Sequence, residues 1–131
     1  MLEQLAHGLE AADAAVVVAT MADDVTLRVA VHDDPFHGLP AATQILGAVL
    51  DGALHDIQVT ETIDGHDSAV LMFTARVAAY PGSADGLLVV RTGAGERISD
   101  LTVFLRPLAA LQALADEMGR RLGGPRPDGS A

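Results

Sequence analysis

Residues 57–106 read IQVTETIDGHDSAVLMFTARVAAYPGSADGLLVVRTGAGERISDLTVFLR, and this stretch decides the fold. Apolar residues alternate from Ile57 through Val59 to Ile63, the period of a strand with one buried face. Asp64-Gly65 then reads as a hairpin turn. Ser68–Tyr80 follows as a long strand in which a bend is expected, and Pro81-Gly82-Ser83 turns the chain into Leu87–Arg91. Thr92-Gly93-Ala94-Gly95 is another tight turn, and Arg97–Arg106 is the last strand. Four successive strands on short turns predict a meander.

Outward from the meander the period changes to that of helices. Leu2, Leu5, Leu9, Ala12 and Val16 recur at three-to-four spacing. Asp13 is placed to cap a second short helix over Ala14–Met21, which Asp23-Asp24 ends. Val25, Leu27, Val29 and Val31 then mark one face of a strand. His32–Gly38 is a polar turn, and Pro40 suits the first turn of a helix running to about Leu54. On the far side, Pro107 opens a helix with Leu108, Leu111, Leu114, Ala115, Met118 and Leu122 along one side. Helices segregated from an antiparallel sheet predict an α+β domain over residues 1–122, with 123–131 as a flexible tail.

Composition bounds the chemistry. The chain has 131 residues, half of them apolar, which supports one packed domain and excludes general disorder. Its formal charge of −10 is the wrong sign for a phosphate backbone or an anionic membrane surface. There is no cysteine, so disulfides, thiolate catalysis and cysteine-held metals are excluded. All eight basic residues are arginine, which excludes a lysine Schiff base. Aromatics are 3%, so the core is aliphatic and ring stacking has few parts. The longest apolar run, Ala14–Ala22, is too short to span a membrane, and a cytoplasmic protein is expected.

Three stretches carry a family resemblance: Met21-Ala22-Asp23-Asp24-Val25, Asp34-Pro35-Phe36-His37-Gly38, and residues 95–104 (Gly95-Glu96-Arg97-Ile98-Ser99-Asp100-Leu101-Thr102-Val103-Phe104). With the element order, they make residues 1–122 similar to the nuclear-transport-factor-2-like superfamily, in particular its small bacterial SnoaL-like members. The resemblance implies a curved sheet around a cone-shaped cavity closed by helices. It also implies a hydrophobic small molecule as partner, no cofactor, and a homodimer through the outer sheet face. Among such families, ketosteroid isomerase sets a carboxylate base, a tyrosine and a protonated Asp around its substrate. Matching segment to segment puts Val29, Leu5 and Leu87 at those three positions. All are aliphatic, and the isomerase mechanism is not supported.

The same matching turns Val70, Met72, Thr74 and Arg76, with Asp100, Thr102 and Phe104, toward the cavity. On that arrangement Asp100 is the acid/base group, resembling the single Asp of polyketide cyclases. Arg76 keeps it ionised and oriented, and Thr74 and Thr102 supply hydrogen bonds. Met72, Val70, Phe104, Val29, Leu27 and Leu87 form the apolar wall, and His32 assists proton transfer at the mouth. The alternative function is a non-catalytic ligand-binding domain or a dimeric scaffold.

The residues alone give the opposite faces. Leu71, Phe73, Ala75 and Val77, with Leu101, Val103 and Leu105, are uniformly apolar and belong in the core. The mixed face is then solvated, with Arg76 and Asp100 an ordinary cross-strand pair. If the resemblance instead sets the faces, the uniform one is the dimer interface. His32, Asp34 and His37 share one turn, with His55-Asp56 and His66-Asp67 in two others. Two histidines and a carboxylate suit a divalent metal. The absence of strict ligand spacing leads us to expect none.

Overall fold

The computed structural model describes residues 1–123, so the expected tail lies outside the described residues from residue 124 on. The chain opens with α1 (Leu2–Glu10) and α2 (Ala14–Val18), followed by strands β1 (Met21–Arg28) and β2 (Phe36–His37). Helix α3 (Leu39–Ala48) then leads through a wide turn into β3 (Leu54–Asp64). Strands β4 (Ser68–Val77), β5 (Ser83–Thr92) and β6 (Ile98–Arg106) complete the sheet before α4 (Leu108–Met118). Among the described residues no helix is long and apolar enough to cross a membrane.

The six strands form one curved, open sheet in the order β2-β1-β6-β5-β4-β3. The predicted meander is its body: β3, β4, β5 and β6 pair antiparallel in succession. The sheet is mixed, however, because β1 lies parallel to β6. A parallel neighbour needs a crossover, and the whole of α3 and the meander provides it. Register shifts between His55 and Gln58 and between Val59 and Glu61 bulge the edge strand β3. Bulges of this kind bend a strand and curve its sheet. Near these bulges the Val59 N–H finds its acceptor in helix α1, donating to Glu10 Oε2 at 2.9 Å.

Helix ends follow the signals that predict them. Asp13 caps α2, its side chain accepting from the Val16 N–H at 3.3 Å. Gly38 precedes α3 at φ 94°, a backbone state that glycine adopts without strain, and Pro40 sits in the first turn. The Gly38 N–H donates to Val25 O at 2.8 Å and so ties the start of α3 to β1.

Boundaries differ from the sequence reading where backbone pairing overrides side-chain pattern. Strand β1 starts at Met21, not Val25, because the Ile98 N–H bonds Thr20 O and Met21 pairs with Ile98. A register shift between Met21 and Thr26 leaves Asp23 and Asp24 exposed. Part of the predicted polar turn is strand, since Phe36 and His37 pair with Leu27 and Thr26. The α3 helix ends before Leu54 because Gly52 takes φ 109° within the turn Val49–Ala53. Strand β4 ends at Val77, where Ala78 turns at φ 43°.

The core lies between the concave face of the sheet and the helices. Ala69, Leu71, Phe73, Ala75 and Val77 of β4 face it, as do Leu88 and Val90 of β5 and Leu101 and Leu105 of β6. Leu5, Val17, Ala42 and Ala110 meet them from the four helices. The uniform apolar face is therefore internal to one chain and is not a dimer interface, which corrects that expectation. Gly86 lets the ring of Phe73 lie across the sheet: a Cβ there would come within 2.3 Å of it. The two residues are cross-strand partners, and a glycine in a strand commonly marks such a close approach.

Candidate functional site

An apolar cavity opens on the concave face between the sheet and the helices. Its floor is Phe73, Leu88, Leu101 and Val103, one or two inward residues from each of three central strands. Leu5, Leu9 and Val17 of α1 and α2 close one side, and Leu114 and Met118 of α4 another. Ile45, Leu46 and Val49 come from α3 and the turn after it. Leu27, Val29, Ala30 and Val31 run along the remaining edge, where the chain leaves β1 and turns at Ala30-Val31, half-buried against the core.

Among the described lining residues, only His32 and Gln44 carry polar side chains. Both are exposed on one side and so sit at the rim. The ring of His32 leans on that of Phe36, also a lining residue, with centroids 5.6 Å apart at 49°. His32 Nδ1 accepts the Asp34 backbone N–H at 3.2 Å. A nitrogen that accepts carries no proton, so the neutral ring is protonated at Nε2. Gln44 projects from α3, and among the described residues no partner holds its amide.

The expected acid/base pair is not brought together. Asp100 is on the convex face, where Oδ2 accepts from Arg28 at 3.2 Å and Oδ1 from Thr102 Oγ1 at 3.3 Å. Arg76 is exposed on the same face and donates to Pro81 O at 2.9 Å. Between them in the sheet lies β5, which pairs Arg76 with Ser83 and Asp100 with Arg91. Thr74, Thr102, Val70, Met72, Phe104 and Leu87 share that convex face and do not line the cavity. The resemblance turned these strands over, and the period-two rule makes such an error total: one residue of slip moves every side chain to the other face. Leu27, Val29 and His32 are the three expected site residues that do line it.

The sequence reading missed Phe73, Leu88, Leu101 and Val103 as a binding floor, although it placed three of them on a core face. Their signal was the unbroken apolar alternation. Gln44 was also missed, the one amide between Ala41 and Leu50, a run whose other polar residue is Thr43. The histidines expected in turns include two on strands, His37 of β2 and His55 of β3. His37 Nδ1 lies 3.4 Å from Thr26 Oγ1 and His55 Nε2 3.1 Å from Ala78 O. Among the described residues no three His, Asp or Glu side chains converge as metal ligands do.

No family model and no curated protein matches the chain by sequence. Solved structures do. A steroid Δ-isomerase from Pseudomonas aeruginosa is 30% identical, with a TM-score of 0.83 over 93% of this chain and 88% of its own. A bacterial protein with a cystatin-like fold from Silicibacter pomeroyi is 21% identical, with a TM-score of 0.84 over 92% and 83%. A SnoaL-like protein of unknown function from Burkholderia thailandensis is 14% identical, with a TM-score of 0.69 over 81% and 92%.

Proposed function

We propose, from the premise that the chain belongs to the nuclear-transport-factor-2-like, SnoaL-like superfamily, that it binds a hydrophobic small molecule in the cavity behind its sheet. One observation carries this reading: among the described residues the lining has no polar side chain except those of His32 and Gln44 at the rim. Sites for small molecules commonly combine a large apolar wall with a few polar groups that orient the ligand. Acid/base chemistry on a carboxylate needs that carboxylate within reach of the substrate proton. None lines the cavity among the described residues, and Asp100 is engaged by Arg28 on the other face. Binding without turnover is therefore the function favoured. The test is a fluorescence titration with the neutral probe N-phenyl-1-naphthylamine. One probe per chain is expected, with loss of binding in Ala41→Trp, which fills the cavity from α3. Equal binding by that variant, folded by circular dichroism, contradicts the reading.

A second reading, proton transfer by His32, is favoured by the place of that residue on the lining. Its tautomer weighs against a base, because Nε2 carries a proton and Nδ1 is engaged by Asp34. The check is deuterium exchange next to the carbonyl of a bound ketone in D2O. No exchange above background is expected, and exchange abolished by His32→Ala would establish catalysis.

The convex face supports a homodimer. Phe104, Met72 and Ile63 are 52%, 37% and 51% exposed there, and cross-strand pairing sets Leu87 beside Met72 and Phe104. Around this apolar centre stand Arg28 with Asp100 and Arg106 with Asp85, ion pairs of both signs. On a chain of net charge −10, a face so nearly neutral lets two copies approach. Analytical ultracentrifugation should give a dimer for the wild type and a monomer for Phe104→Arg. A wild-type monomer at micromolar concentration contradicts this assembly.

A further inference from the structure

On the reading of the cavity as a ligand site, we propose that Phe73 and Gly86 set its depth, and with it the largest rigid skeleton the protein takes. The two are cross-strand partners on β4 and β5. The tip of the Phe73 ring lies where a side chain at position 86 would begin: a Cβ there would come within 2.3 Å of Cζ and 2.8 Å of both Cε atoms. The inward neighbours on β5, Ala84 and Leu88, carry buried side chains, so the ring crosses β5 at a gap one residue wide. Nothing in the backbone requires glycine there. Gly38, Gly52 and Gly95 have positive φ, and Gly86 does not. A glycine inside a strand weakens it, because it adds chain entropy and packs no side chain. The feature that it permits at 86 is the ring laid over it. Gly86 accordingly does not line the cavity, whereas Phe73 and Leu88 do.

The surroundings of the ring leave one direction open. Val59 of β3 is the cross-strand partner of Phe73 on its other flank and packs against the core. Leu71 and Ala75, the inward residues before and after it on β4, are buried. The sheet backbone lies beneath. A side chain at 86 would therefore push the ring up, into the space that it now floors. Protein interiors are packed nearly as densely as organic crystals, so such a push is not readily absorbed elsewhere. An apolar pocket reads its ligand by size, and one methylene there changes affinity by roughly ten- to two-hundredfold. Phe73 touches the ligand, and Gly86 acts through it as a positioning residue. A ring that merely covered a glycine for stability would leave ligand size unread.

The experiment measures, by isothermal titration calorimetry, a series of saturated skeletons of one to four fused six-membered rings, each with one hydroxyl for solubility. The proteins are wild type, Gly86→Ala, Phe73→Leu and the double variant. Wild-type affinity is expected to rise with ring number to a limit and to fall beyond it. Gly86→Ala should weaken the largest skeleton that wild type takes by at least about tenfold and leave cyclohexanol within about twofold. On the Phe73→Leu background the same change should cost that skeleton less than about twofold, because the ring it would displace is gone. Equal losses for every ring number, a loss that persists on that background, or a wild type with no limit up to four rings overturns the proposal. If Gly86→Ala does not fold, Phe73→Leu decides: it should tighten the first skeleton too large for wild type, and no gain contradicts the assignment. If no skeleton binds wild type, the cavity reading itself fails, and the proposal with it.

Discussion

The two faces of this sheet share their backbone and differ in everything else. The concave face is apolar from β4 to β6 and is roofed by four helices. The convex face alternates with it residue by residue, yet carries Thr74, Arg76, Asp85, Asp100 and Arg106 around an exposed Phe104. The difference teaches where chemistry is possible. Ionisable residues on the convex face pair with one another in water, where such pairs stabilise little. The concave face has an apolar enclosure, in which a single polar contact is selective, and only two polar side chains line its cavity among the described residues. Carboxylate and cavity are on opposite sides.

The largest contrast should come from two phenylalanines. Phe73 is 4% exposed and floors the cavity, so Phe73→Ala should cost about 3–5 kcal/mol in denaturant unfolding. Phe104→Ala on the other face should cost less than about 1 kcal/mol in the monomer, since half of its ring is already in water. Equal losses would erase the distinction between faces. Gly86→Ala comes next, because its added methyl meets the Phe73 ring from within the same sheet. Overpacking of this kind costs about 1–3 kcal/mol, and weaker probe binding should accompany it as the floor shifts. A variant with unchanged melting temperature would show that Phe73 has room to move.

Smaller effects sharpen the convex side. Arg76→Ala and Asp100→Asn should each change stability by no more than about 1 kcal/mol and leave probe affinity untouched. A tenfold loss of binding in either variant would bring the convex face back into the site. The smallest effect lies at the end of α4. Hydrogen bonds from Arg120 and then Arg121 hold the Glu117 carboxyl below its ordinary value. A depressed carboxyl stabilises the fold above its unfolded-state pKa and loses that contribution as pH falls through the folded value. The melting temperature of wild type should therefore exceed that of Glu117→Gln at neutral pH and converge with it in acid. Parallel profiles would show that the pair of arginines contributes nothing.

Much of the fold was legible in residues whose pattern and backbone agree. The alternation in 57–106 gave the meander, Asp13 and Pro40 gave helix starts, and the uniform face of β4 gave the core. What stayed hidden was pairing between distant segments. Nothing local in Met21-Ala22-Asp23-Asp24 announces a parallel partner in β6, because its side chains are broken by a register shift. Nor does Phe36-His37 look like a strand until Leu27 is beside it. The site suffered most, since family likeness alone set the inward direction of the strands. A cavity wall made of core residues reads in sequence as core. Only the rim, His32 and Gln44, carried a chemical signal, and only His32 was recognised.

The central claim is that ligand enters the concave side, and methyl NMR tests it residue by residue. On titration with decahydronaphthalene, methyl signals of Leu27, Val29, Leu88, Leu101 and Val103 should shift together and saturate at one ligand per chain. Val70, Leu87 and Val89 on the convex face should not move. Shifts confined to those three, with the concave methyls unchanged, would contradict the account.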